Sequence, residues 1–239
     1  MDSKEVIILA GGMGSRIESI SKGKPKCLIK IGNKPFLYHL LNQFLTLGAD
    51  KIILATANKS QYIFDFVNKY FKSELVSQKI VFSNEEIQSG TGGSILFALD
   101  KIKSEIFLVS NSDTIISGLT DKIWSSIMLN DMNFLVHLSE MRGQRFSYFK
   151  TDETYINDIL EENVTSGKTS SGLVFIRKSF FTQLKIRNSF SLENDLLHDE
   201  IKNQRVGYKM VGEFIDFGVP EDFARASAKY KKKQDSIFG

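Results

Sequence analysis

The first half of the chain alternates short β-rich runs with helical patterns, and this alternation constrains the fold more than any other feature. Strands are predicted at Val6 to Ala10, Ile52 to Thr56, Ile80 to Phe82, Ile106 to Val109 and Asn133 to Leu138. Between them, Pro35 to Leu47 places Leu37, Leu40, Leu41, Phe44 and Leu45 on one helical face, and Gly48 ends that helix. Further helices are predicted at Gln61 to Tyr70 and Ser94 to Ile102. Strands joined through helices pair in parallel, so the pattern implies an α/β fold with a mainly parallel sheet.

From about Arg145 the rhythm changes, with short strand-like pieces at Phe146 to Lys150, Tyr155 to Leu160 and Leu173 to Ile176. The last helix is predicted to begin at Pro220-Glu-Asp222 and to end in lysines. No repeat, low-complexity tract or linker divides the 239 residues, so residues 1–239 are expected to form one domain. The 31 basic and 28 acidic residues leave a net charge of +3, too slight to announce a nucleic-acid partner. One cysteine excludes an internal disulfide and a cysteine-rich metal site. The start, Met1-Asp-Ser-Lys-Glu5, has neither the pattern of a signal peptide nor that of an anchor, so a cytoplasmic location away from membranes is expected.

At the end of the first apolar run stands Leu9-Ala-Gly-Gly-Met-Gly-Ser-Arg16, with Pro25-Lys26 after a short polar gap. Gly11, Gly12 and Gly14 let backbone N–H groups approach an anion without Cβ interference. Arg16 and Lys26 then supply cations for phosphate oxygens. The dinucleotide pattern G-x-G-x-x-G fails because Ile17 stands where its last glycine belongs, and no Gly-Lys-Ser/Thr follows as a Walker loop requires. What remains is G-G-x-G-x-R followed by Pro-Lys, read either as a loop that holds a nucleoside triphosphate by its phosphates or as a tight strand-to-loop turn beside a solvated basic face.

Together with Gly90-Thr-Gly-Gly93, Asn111-Ser-Asp-Thr114, Phe190-Ser-Leu-Glu-Asn-Asp-Leu196 and Ile215-Asp-Phe-Gly-Val-Pro-Glu-Asp-Phe223, this loop resembles the sugar-1-phosphate nucleotidylyltransferases, particularly those that guanylylate heptose 1-phosphates. The resemblance runs from Val6 to about Ala228. It implies a Rossmann-like sheet with a small sugar-binding extension, a nucleotide-binding half over residues 1–115 and a sugar-phosphate half over 116–239. It implies GTP, a sugar 1-phosphate and Mg²⁺ as ligands, and leaves a homo-oligomer open. Arg16 and Lys26 become the catalytic cations. Leu9, Ala10, Gly11, Gly12, Gly14, Ser15, Gly90, Thr91, Gly92 and Ser112 become nucleotide-binding residues.

Asp113 follows the strand Ile106 to Val109 and so projects from a carboxyl end of the sheet, where α/β ligands bind. Asp216 lies between Ile215 and Phe217, a costly place for an unpartnered carboxylate. Both are hard oxygen donors, and by resemblance they are the Mg²⁺-binding pair. Glu85 is read either as a partner for a guanine edge or as a solvated carboxylate. Glu193 and Asp195 are read either as acceptors for sugar hydroxyls or as acidic residues favoured at a helix start. Glu161 matches the glutamate of the family's Glu-Lys pair, but Glu162 replaces the lysine that helps hold the sugar phosphate, and Lys168, a few residues on, is read either as its substitute or as a solvated loop lysine. Ser170 replaces an asparagine common ahead of the glycine matching Gly172. His39, His137 and His198 show no metal-ligand spacing, and Cys27 reads as a small half-buried hydrophobe. Two rival readings remain, a related transferase using CTP or UTP with another phosphorylated acceptor and a catalytically silent nucleotide-sugar sensor.

Overall fold

The computed structural model describes residues 3–12, 17–126, 128–160, 164–184 and 189–232. A seven-stranded sheet runs in the order Val206–Met210, Phe134–Arg142, Ser166–Arg177, Ile106–Asn111, Glu5–Leu9, Lys51–Thr56, Ile80–Asn84. All of these strands point the same way except Ser166–Arg177, which is antiparallel to both neighbours. The mainly parallel sheet flanked by helices expected from the strand-helix alternation is therefore present.

Both faces of the sheet are covered, which is why its strands read as nearly continuous apolar runs. Val6, Ile8, Ile52 and Leu54 face one layer, packed with Leu37, Leu40, Leu41 and Phe44 of the helix Phe36–Thr46. Ile7, Ile53, Phe107 and Val109 face the other layer, with Ile95 and Ala98 of the helix Gly90–Ala98 and Leu192, Leu196 and Ile201 further along the chain. Side chains this well buried each contribute about 1.5–3 kcal/mol. Gly48 ends the helix Phe36–Thr46 as expected, at φ +79°, with its N–H on the Leu45 carbonyl at 3.1 Å.

The differences from expectation lie where backbone pairing, not apolar patterning, makes the element. The strand expected at Leu173 to Ile176 is the 12-residue Ser166–Arg177. Its first half, Ser166-Gly-Lys-Thr-Ser-Ser171, carries no apolar signal but pairs with Phe134–Arg142, with a register break between Ser170 and Val174. The helix expected from Ser94 starts at Gly90. The edge strand Val206–Met210 and the pairing of Thr114–Ile116 with Phe214–Asp216 had no periodic signature strong enough to read. No helix among the described residues is long and apolar enough to cross a membrane.

Candidate active site

The strand order reverses between the parallel neighbours Glu5–Leu9 and Ile106–Asn111, and a cleft of about 370 Å³ opens at their carboxyl ends. Leu9, Ala10, Gly11 and Gly12 form one wall, Asn111, Ser112 and Asp113 the floor, and Gly90 and Thr91 the opposite wall. Lys26 and Glu193 reach in from outside the sheet. This is the crevice beyond the strand ends where an open α/β sheet binds its ligands.

Lys26 begins a short turn, Lys26–Leu28, set by Pro25 at φ −52° and closed by Leu28 N–H donating to the Pro25 carbonyl at 2.9 Å. Cys27 turns into the core at 2% exposure, which leaves Lys26 on the cleft side. The Lys26 ammonium pairs with Asp113 and lies 5.4 Å from the centroid of the Phe217 ring. Burial pushes the Cys27 thiol up to about 12, so the thiol stays protonated at pH 8. Iodoacetamide at pH 8 is therefore expected to leave the native protein unlabelled, and Cys27→Ser to retain most of the activity. Rapid alkylation with loss of turnover would contradict this.

Asp113 and Asp216 are brought to adjacent strands, since Asp216 pairs with Thr114 and the Phe217 N–H reaches the Asp113 carbonyl at 3.4 Å. Their carboxylates nevertheless face separate hollows. Asp113 opens on the cleft beside Lys26, whereas Asp216 accepts from Gly218 N–H at 2.6 Å and pairs with Arg145 at 3.0 Å, beside a second hollow of about 230 Å³. Arg145 also holds Asp222, which is 3% exposed and is paired in turn with Arg225. Each carboxylate expected to bind metal thus carries its own compensating cation. Among the described residues no three His, Cys, Asp or Glu side chains gather as a closed cage. Asp113, the carboxylate that opens on the cleft, is a hard oxygen donor of the kind a divalent cation takes, and such an ion fills the rest of its shell with water and phosphate oxygens.

Several residues expected at the site have their side chains engaged elsewhere. Glu85 is neither at the cleft nor solvated: it is 5% exposed, and its Oε2 accepts from Ser89 N–H at 3.1 Å and from the Ser89 hydroxyl. Asp195 accepts from Ser191 N–H at 2.7 Å at the start of Leu192–Leu197, so only Glu193 of the acidic pair faces the cleft. Lys168 does not line the cleft either. Its ammonium donates to Thr151 Oγ1 at 2.7 Å and Tyr208 OH at 3.4 Å, and sits 4.9 Å from the Tyr208 ring centroid.

Gly92 lies outside the cleft lining, where a Cβ would overlap the Phe190 ring. Gly172, at φ +74°, passes close to Asn111, whose Nδ2 a Cβ would approach to 2.8 Å. Gly14, Ser15, Arg16 and Glu161 lie outside the described residues. His39 is buried with Nε2 3.3 Å from the Ile31 carbonyl, and burial pushes the His137 imidazole down to about 4, so it is neutral at pH 7.

The sequence reading gave no role to Asn111, Gly218 or Gln88. The first two stand inside the quoted motifs and were open to discovery there. Gln88, whose side-chain amide donates to the Gly11 carbonyl at 3.2 Å across the cleft, carries no pattern that could have flagged it.

A glycine-walled cleft with an ammonium and a carboxylate at the strand ends is the site of a phosphate-handling transferase. The nucleotidyl transferase family matches residues 5–233, and the chain belongs to it. It is 32% identical over 222 residues to a D-glycero-alpha-D-manno-heptose 1-phosphate guanylyltransferase from Campylobacter jejuni, covering 92% of this chain and 96% of that protein. A protein of the same description from Aneurinibacillus thermoaerophilus is 29% identical over 225 residues, covering 93% and 96%. The crystal structure of HddC from Yersinia pseudotuberculosis complexed with GMP-PN superposes with a TM-score of 0.80 at 31% identity, covering 95% of this chain and 99% of that one.

Proposed function

We propose that this chain joins a nucleoside triphosphate to a sugar 1-phosphate, forming an NDP-sugar and pyrophosphate, with GTP and a heptose 1-phosphate as the preferred pair. The observation that carries the reading is the cleft itself, which gathers the glycine loop, Lys26, Asp113, the Gly90–Thr91 helix start and Glu193 in a chain aligned nearly end to end with guanylyltransferases of heptose 1-phosphate.

The nucleophile is an oxygen of the sugar phosphate. With a second pKa near ~6 it is already largely ionised at pH 7 and needs no general base. It attacks the α-phosphorus, a new P–O bond forms, the bond to the β-phosphate oxygen breaks, and pyrophosphate carries the electron pair away. Because both reactants are anions, the barrier is lowered chiefly by positioning and charge neutralisation. In this reading Lys26 and Arg16 neutralise phosphate oxygens, and the backbone of Leu9 to Ser15, with Ser112 and Gly90, holds the nucleotide. Asp113 and Asp216 would hold Mg²⁺, which supplies further positive charge at the phosphates when bound. Glu193 faces the sugar, and residues 1–239 act as one unit, in a reducing cytoplasm, with self-association a further option.

Pyrophosphate release from a panel of nucleoside triphosphates crossed with several sugar 1-phosphates tests the reading. Turnover confined to GTP with a heptose 1-phosphate is expected. Turnover with CTP or UTP replaces the base assignment, and binding without turnover in any pair replaces the enzyme with a sensor.

Lys168 is a weaker candidate than the sequence implied, because its ammonium is already engaged by Thr151 and Tyr208. Lys168→Ala is expected to leave the KM for the sugar phosphate within about twofold. A genuine phosphate contact, worth roughly 1.5–3 kcal/mol, would raise it tenfold or more.

A further inference from the structure

The loop that opens the helix Gly90–Ala98 and the segment that opens Leu192–Leu197 come from opposite halves of the chain, yet they are built as one unit at the cleft. Phe190 N–H donates to the Ser89 carbonyl at 3.0 Å, and Gly92 N–H donates to the Phe190 carbonyl at 3.1 Å. The Phe190 ring, 5% exposed, lies against Gly92, and a Cβ on Gly90, at φ +77°, would overlap the Phe190 carbonyl. Gly90 and Gly92 therefore have a packing reason that needs no nucleotide base. They make room for Phe190.

At the centre of the junction is Thr91. Its hydroxyl oxygen accepts from Leu192 N–H at 2.8 Å, and its one proton goes to Glu193 Oε2 at 3.0 Å. Ser191 Oγ donates to the same carboxylate oxygen at 3.1 Å. The donor of Thr91 is thus spent on Glu193 and is not free for a ligand. Glu193 lines the cleft with one oxygen held by two hydroxyls, which leaves Oε1 to accept from a ligand hydroxyl.

We propose that Thr91 is a positioning residue for the acceptor substrate: it fixes Glu193 against the nucleotide-side wall so that the carboxylate receives the sugar hydroxyls at the geometry the phosphoryl transfer needs. The inference rests on the function proposed above and assigns Thr91, although it stands in the nucleotide-side loop, to recognition of the sugar phosphate. A carboxylate free to change rotamer would lose part of its hydrogen-bonding advantage to side-chain entropy, whereas a tethered one has met that cost during folding.

The test is steady-state kinetics of Thr91→Val, Thr91→Ser, Glu193→Gln and the Thr91→Val/Glu193→Gln double variant, each substrate being varied in turn. Thr91→Val keeps the shape of the side chain and removes the hydroxyl. It is expected to raise the KM for the sugar phosphate about tenfold while the KM for the nucleotide stays within about twofold. Thr91→Ser, which keeps the hydroxyl, should restore the KM to near the parent value. The double variant should be no worse than Glu193→Gln alone, because the hydroxyl acts through that carboxylate.

Equal rises in both KM values, or additive losses in the double variant, would overturn the proposal and leave the function intact, since a purely structural loop contact behaves in that way. A rise confined to the nucleotide would assign Thr91 to the nucleotide and overturn it as well. Absence of pyrophosphate release by the parent protein with every substrate pair overturns the function itself, and this proposal with it.

Discussion

Asparagine in place of Asp113 or of Asp216 is expected to lower turnover by about 10²–10³-fold while leaving the fold intact. Losing one charge-stabilising contact to a transferring phosphoryl group has that order of cost. Asp113 sits on the cleft floor beside Lys26, and Asp216 is on the strand next to it. The two should nevertheless differ in how they fail. Asp113 already faces the cleft, so its variant should need far more Mg²⁺ for half-maximal rate. Asp216 is held by Arg145 and Gly218 N–H, so its variant also weakens the hold on Arg145, which keeps Asp222 and the Phe146 ring. Its thermal midpoint should therefore shift by more than that of Asp113→Asn. Rates over a Mg²⁺ titration, read beside calorimetric melting of each variant, separate the two effects. Near-normal Mg²⁺-dependent turnover in either variant removes that aspartate from the metal site.

Replacing Lys26 by methionine, which keeps the stem and removes the charge, should likewise reduce kcat/KM by about 10²–10³-fold. A competing account is that Lys26 serves only to neutralise Asp113, with which it pairs. If that were its whole role, removing Lys26 would add nothing once the Asp113 charge is gone, and the double variant would be as active as Asp113→Asn alone. If Lys26 neutralises phosphate, the double variant is clearly more impaired than Asp113→Asn alone. Arginine at position 26 should restore only part of the rate, because a planar fork does not replace a compact ammonium. The side chain of Lys26 is 14% exposed, so the melting temperature of Lys26→Met reports separately on any structural share.

Much of the fold was legible because it follows from local periodicity. The helix Phe36–Thr46 could be read from Leu37, Leu40, Leu41 and Phe44, since the spacing that marks a helical face also buries it. The strands Glu5–Leu9 and Lys51–Thr56 were legible for a related reason, because a strand covered on both faces carries an unbroken apolar run, here Val6 to Leu9 and Ile52 to Ala55. The polar half of Ser166–Arg177 was not, because a sheet ladder is made by backbone groups that every residue carries.

The site divides along the same line. Residue type and order determined a phosphate-binding loop, a cation after it, acidic groups at strand ends and, by family resemblance, the chemistry they serve. Where each side chain's charge or hydrogen bond is spent was left to the tertiary structure. It gave Lys26 to Asp113, Arg145 to Asp216, Glu85 to Ser89, Asp195 to Ser191 N–H and Thr91 to Glu193. Apart from two short-range contacts around Glu85 and Asp195, these partners stand far apart in the chain, and no local pattern encodes a contact between distant segments. Sequence periodicity records which face of an element is buried, whereas a polar side chain's partner is chosen by the packing of whole elements, and that choice separates the residues left facing the cleft from those that hold its walls in place.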